Sequence, residues 1–192
     1  MQTFKIGDIK IRMARPGDVS EVANVHVNSW RETYRGLLPA EYLSKLNFRK
    51  KIDAWQKVII EKDKFAVFVA EDRVGVIGFA TFEAARDVDW AGRGEVSSIY
   101  LLQRFKGRGL GRALLTMGMK ELMRRNFRQA YCWVLEGNPT VKFYEHTGAA
   151  FSGMEREDEI AGQKIKELAY VWDSLENFNA PLVSPQMRAE RA

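Results

Sequence analysis

The chain has almost none of the residues that staple or metallate a small protein. Its 192 residues include one cysteine, Cys132, and two histidines, His26 and His146. A lone cysteine excludes an internal disulfide, and two distant histidines without a cysteine cluster offer no metal-ligand spacing, so no metal is expected. Long apolar runs are missing too. The longest, FAVFVA at 65–70, is far too short to cross a bilayer, and the opening MQTFKIGDIKIR is too charged and broken for a signal peptide. A cytoplasmic protein without a membrane partner is therefore expected. The chain also lacks any G-x-x-x-x-G-K-S/T run, internal repeat or low-complexity tract.

Hydrophobic residues make up 46% of the chain and charged residues 29%, which suits one globular domain with a real core. The formal charge is +5, but the basic residues are interspersed with acids rather than massed in a tract. That pattern reads as a solvated surface and predicts no nucleic-acid partner. The exception is QRFKGRGLGRALL (103–115), where Arg104, Lys106, Arg108 and Arg112 crowd around Gly107, Gly109 and Gly111 at the start of an apolar helical pattern. A helix N-terminus has unpaired N–H groups and the positive end of the dipole, and glycine lets those amides approach an anion. The stretch reads as a seat for phosphate.

The hydrophobic periodicity orders the elements. IKIRMA (9–14) alternates as a first strand, and Asp18 can cap a helix through VSEVANVHVNSW. Pro39 opens a second helical region over 39–62. FAVFVAED and VGVIGFATFEA read as strands joined across Asp72 and Arg73, and EVSSIYLL is a strand that leads into the glycine loop. RALLTMGMKELMRRNF is an amphipathic helix and QAYCWVLEG a buried strand. NPTVKFYEHTGA predicts a short helix with Asn138 as cap, Pro139 first and Gly148 as stop. The segment from 151 to 173 predicts a closing pair of strands turned at Ala161 and Gly162. Beyond Ser174 the periodicity fades, so 9–173 is expected to form the domain and 174–192 a tail with poor order.

A dinucleotide fingerprint fails, because Arg112 stands where its third glycine belongs and the preceding strand follows a hairpin. A strand, a basic glycine loop, a long helix, another strand and then N-P-x-x-x-F-Y-E-x-x-G remain. This order resembles the GCN5-related N-acetyltransferases (GNAT), whose mark is Q/R-x-x-G-x-G/A; Lys106, Gly109 and Gly111 fall on it, with lysine in place of Gln or Arg. The resemblance spans about residues 9–172. HVNSWRETYRGLLPAEYL is similar to the first-helix region of bacterial members related to the polyamine acetyltransferases called PaiA. The resemblance implies an α/β fold with a mixed, mostly antiparallel sheet of about seven strands, splayed between strands 4 and 5 and flanked by about four helices. It also implies acetyl-CoA as co-substrate, with the pyrophosphate on residues 106–112 (Lys106, Gly107, Arg108, Gly109, Leu110, Gly111 and Arg112). The main chain of Ile99, Tyr100 and Leu101 would serve the pantetheine arm, and Asn138 would touch it as well as capping its helix.

Transfer of acetyl to a primary amine needs a base, because such an amine is almost wholly protonated at neutral pH. Glu95 at the start of the central strand is the candidate, directly or through water; the competing reading is a solvated strand-end carboxylate. Tyr144 matches the family position whose hydroxyl protonates the departing thiolate, against the reading that Phe143 and Tyr144 are core aromatics. Trp30, Glu32 and Tyr34 form a carboxylate flanked by aromatics, suited to a cationic acceptor, or else aromatics packed under a loop. A Cys132–His146 nucleophile pair lacks any orienting residue. The expected partner is a small-molecule or peptide amine, and a homodimer stays open. Two rival readings are a catalytically idle acyl-CoA-binding regulatory module and a nucleic-acid binder.

Overall fold

The structure, a computed structural model, describes residues 3–178. Eight strands form one sheet: β1 (Phe4–Ile6), β2 (Ile9–Met13), β3 (Ala66–Glu71), β4 (Val76–Ala84), β5 (Gly94–Leu101), β6 (Ala130–Leu135), β7 (Ala150–Ile160) and β8 (Gln163–Trp172). Their spatial order is β1-β2-β3-β4-β5-β6-β8-β7. Every described pairing is antiparallel except β5 with β6. Five helices cover the sheet: α1 (Val19–Thr33), α2 (Ala40–Ser44), α3 (Phe48–Ile60), α4 (Leu110–Arg124) and α5 (Val141–His146).

The alternation within β3 explains the layering. Successive side chains of a strand point to opposite faces. Val67 and Val69 pack with Val22 and Val25 of α1 and Trp55 and Ile59 of α3. Phe68 and Ala70 join the opposite core with Leu114, Leu115, Met119 and Leu122 of α4. Both faces are thus covered, which is why β3 and β4 are almost entirely apolar and buried. Each fully buried Leu or Phe contributes roughly 1.5–3 kcal/mol. The approach of α4 is close: a Cβ on Gly118 would stand 1.9 Å from the Phe82 ring.

The mixed, mostly antiparallel α/β fold agrees with expectation, but its details differ in four places. An extra strand, β1, pairs with β2 across a two-residue turn, Gly7-Asp8, in which Gly7 has φ +56°. The predicted helix over 39–62 divides into α2 and α3, because Asn47 Oδ1 accepts the Lys50 N–H at 3.0 Å and starts a new helix there. Asp18 stands at the N-cap of α1 without capping it; its carboxylate takes the Arg12 guanidinium and the Arg15 N–H instead. The expected tail begins later than Ser174, since Leu175 and Phe178 are buried in the core beside α4. The rest of the predicted tail, from 179 onward, lies outside the described residues. The turn expected at Ala161-Gly162 is present, with φ +53° and +79°.

The parallel pair positions the site. Parallel strands require a crossover connection, here α4. β5 and β6 are in register only at Gly94 with Ala130 and Glu95 with Tyr131. A bulge at Ser97, where Ser98 faces Thr81 but Val96 faces Phe82, then bends β5, while β6 stays paired with β8 to its end. The two strands part beyond Glu95 and leave a cleft. The expected splay between strands 4 and 5 falls here, numbered β5 and β6 because β1 precedes them.

Candidate active site

The cleft is a cavity of about 580 Å³. One wall is the β5 edge from Val96 to Leu101, which β6 no longer pairs. Its floor toward β6 and β8 includes Trp133, Leu135 and Glu167, and α5 closes it with Phe143 and Tyr144. At one end lies the glycine loop. Gly107 and Gly109 hold φ of +76° and +77°, the left-handed region that side chains disfavour, and Gly109 is the N-cap of α4. The first-turn N–H groups of Leu110, Gly111 and Arg112 have no carbonyl one turn earlier to accept them. A Cβ on Gly111 would meet the Phe143 ring at 3.3 Å, so glycine also keeps this corner open. Arg104 and Arg108 lie over the Phe105 ring at 5.0 and 5.4 Å, adding positive charge nearby.

Most of the residues proposed from the sequence converge on this cavity. Ile99, Tyr100, Leu101, Lys106, Gly107, Gly109, Gly111, Arg112 and Asn138 line it; Arg108 and the buried side chain of Leu110 do not. Asn138 Oδ1 accepts the Thr140 N–H at 2.9 Å, so it caps the turn that leads into α5, whose own N-cap is Thr140. Tyr144 lines the cavity and is 7% exposed. Burial, together with Cys132 and Tyr34, pushes its phenol well above the ordinary range, so the proton stays on oxygen near neutrality. Tyr34, also in the lining, lies 3.1 Å hydroxyl to hydroxyl from Tyr100.

Three sequence candidates lie elsewhere. Glu95 does not line the cavity. It is 1% exposed at the closed root of the cleft, where Arg86 donates to both carboxylate oxygens and the Tyr131 hydroxyl donates at 2.9 Å. A carboxylate so engaged has little capacity left for an amine proton. Trp30 packs behind the wall, stacked on His26 with centroids 5.3 Å apart and edge-on to Tyr34 at 5.0 Å. Glu32 accepts the Gln103 N–H at 3.2 Å and ties the end of α1 to the loop after β5. Cys132 and His146 do not assemble either: Cys132 is buried in β6 with its thiol pushed up by burial, while exposed His146 bonds to the Lys142 carbonyl. Glu167 and Trp133 were missed from the sequence.

A family model, the acetyltransferase (GNAT) family, matches residues 27–149. The chain belongs to this family. Among its GNAT relatives is an uncharacterized N-acetyltransferase of Bacillus subtilis strain 168, YuaI, 37% identical over 171 residues, 87% of this chain and 94% of that protein. Solved GNAT-like structures share the fold. PaiA N-acetyltransferase from Thermoplasma acidophilum, crystallised with coenzyme A, superposes with a TM-score of 0.66 at 22% identity, covering 83% of this chain and 97% of that one. YncA from Salmonella typhimurium, solved with acetyl-CoA, gives 0.67 at 17% identity over 92% and 99%. Among the described residues no group of three His, Cys, Asp or Glu could hold a metal ion.

Proposed function

We propose that this GNAT protein transfers acetyl from acetyl-CoA to a primary amine by direct attack on the thioester, without an acyl-enzyme. The observation that carries the reading is the cavity itself. One continuous space runs from a cradle of glycine amides and basic side chains, along an unpaired strand edge, to a buried phenol. Those features answer in order to a pyrophosphate, an amide-bearing arm and a leaving thiolate. Acetyl-CoA supplies an acyl group activated as a thioester.

The chain's own groups do the rest. The N–H groups at the start of α4, with Lys106 and Arg112, hold the pyrophosphate, and Arg108 contributes its charge from just outside. The main chain of Ile99, Tyr100 and Leu101 continues as a strand toward the arm. Tyr144 keeps its proton until sulfur leaves with the bonding pair, then donates it. Tyr34 faces the acceptor amine, with Trp30 bracing it from behind and Glu32 fixing the loop. Glu95 acts with Arg86 and Tyr131 as the clasp that holds the closed end of the cleft.

Titration of CoA and a free-thiol release screen with acetyl-CoA test this reading. The expected result is CoA binding and thiol release that depends on an added amine, whether small molecule or peptide N-terminus. Failure to bind CoA would remove the proposal; binding without turnover on any amine would make the protein a regulatory CoA-binding module.

A further inference from the structure

Glu167 is the cavity's carboxylate, and sequence reading gave no reason to single it out. It stands on β8, opposite Leu135 of β6 and Arg156 of β7, and it lines the same space as Tyr144 and Tyr34. Arg156 Nε donates to its Oε2 at 2.7 Å, and Oε1 accepts no hydrogen bond from the described residues. The Arg156 guanidinium lies over the Trp133 ring at 4.3 Å and also reaches Asp87 at 3.3 Å. Trp133 in turn donates its indole N–H to Asp87 at 2.7 Å. One guanidinium therefore serves two carboxylates, and the cluster carries one uncompensated negative charge beside the cavity. Its charge is felt by the Tyr34 phenol, which burial first and then Glu167 push upward.

Resting on the acetyltransferase reading above, we infer that Glu167 binds the ammonium form of the acceptor and receives its first proton. An ammonium entering the cavity compensates the excess charge and pairs with the open oxygen, while Arg156 and Trp133 hold the carboxylate in place. A primary ammonium has three N–H protons. One passes to Glu167 and from there to solvent, which leaves the nitrogen lone pair free. As the nitrogen–carbon bond forms and the carbon–sulfur bond breaks, sulfur takes the bonding pair and the Tyr144 proton. A second nitrogen proton restores Tyr144, and the third stays on the amide. The sum is an amide, a thiol and one proton released.

The test is Glu167→Gln, a neutral isostere that still accepts from Arg156. For the primary alkylamine turned over fastest by the wild type, the variant is expected to lose roughly 10²- to 10⁴-fold in kcat/KM at pH 7, the usual worth of a positioned base. CoA affinity should be unchanged. The deficit should narrow between pH 7 and 9, because the free-amine fraction of a group with a pKa of about 10.4 rises about a hundredfold over that range. A purely structural Arg156–Glu167 pair would give a small, pH-independent change, and that result overturns the inference while leaving the acetyltransferase reading intact. A wild type with no turnover on any amine overturns both.

Discussion

His26 is partly buried against the aromatic wall that backs the cavity, and protonating it should loosen the fold. Its ring is stacked on Trp30 and on Tyr100, 5.7 Å away, and Nδ1 accepts the Trp55 indole N–H at 3.1 Å. Burial, with the nearby Lys51 charge adding to it, pushes its pKa down to about 3. The unfolded chain restores a value near 6.5, so below that pH the unfolded state binds the extra proton and stability falls as pH falls. The contribution is complete above about pH 6.5 and lost progressively toward pH 3. At pH 4.5 the histidine has cost about two pH units at ~1.36 kcal/mol each, or about 2.7 kcal/mol. For a chain of this length that corresponds to a Tm lower by roughly 5–11 °C. His26→Gln keeps an acceptor for Trp55 but cannot titrate. Urea unfolding of both proteins at pH 7 and 4.5 isolates the term, since the carboxylates common to both cancel. The wild type should lose about 2.7 kcal/mol more than the variant; equal losses would refute the burial argument.

Substitution of Gly109 or Gly111 by Glu should raise the Kd for CoA more than about a hundredfold, a loss of roughly 2.7 kcal/mol, while circular dichroism stays native. Retained affinity in a folded variant would mean the pyrophosphate sits elsewhere. Gly118→Ala should destabilise by about 1–3 kcal/mol despite alanine's better helix propensity, because its Cβ meets the buried Phe82 ring. Chemical denaturation checks this, and restoration by an added Phe82→Leu would confirm the clash as the cause.

Features set by short-range chemistry were legible in the sequence. Positive φ at Gly107 and Gly109 and the Ala161-Gly162 turn follow from which residues tolerate left-handed backbone. The apolar stripe of RALLTMGMKELMRRNF marked α4 as an amphipathic helix, and the continuous apolar run FAVFVA marked β3 as a strand. Two misses had signals: Gly7-Asp8 is a hairpin turn dipeptide, and Asn47 before FRKKIDAW is a helix cap. The roles of Glu95 and Glu167 had none. What separates them is that Arg86, nine residues before Glu95, folds back onto it, whereas Glu167 shares Arg156 with Asp87. Both depend on the register of long-range strand pairs and on the bulge at Ser97, which no local pattern encodes. In KIKELAY, alternation puts Glu167 on the face of Ile165 and Ala169, but nothing local says which guanidinium it meets or that this face opens onto a cavity.

Tyr144→Phe tests most directly whether the cavity performs chemistry. The substitution removes one oxygen from a ring that stays packed against Trp172, at 5.8 Å between centroids, so folding and CoA affinity should be close to wild type. Amine-dependent thiol release should fall roughly 10²- to 10⁴-fold, with the loss in kcat. Turnover equal to wild type in a folded, CoA-binding variant would contradict the account.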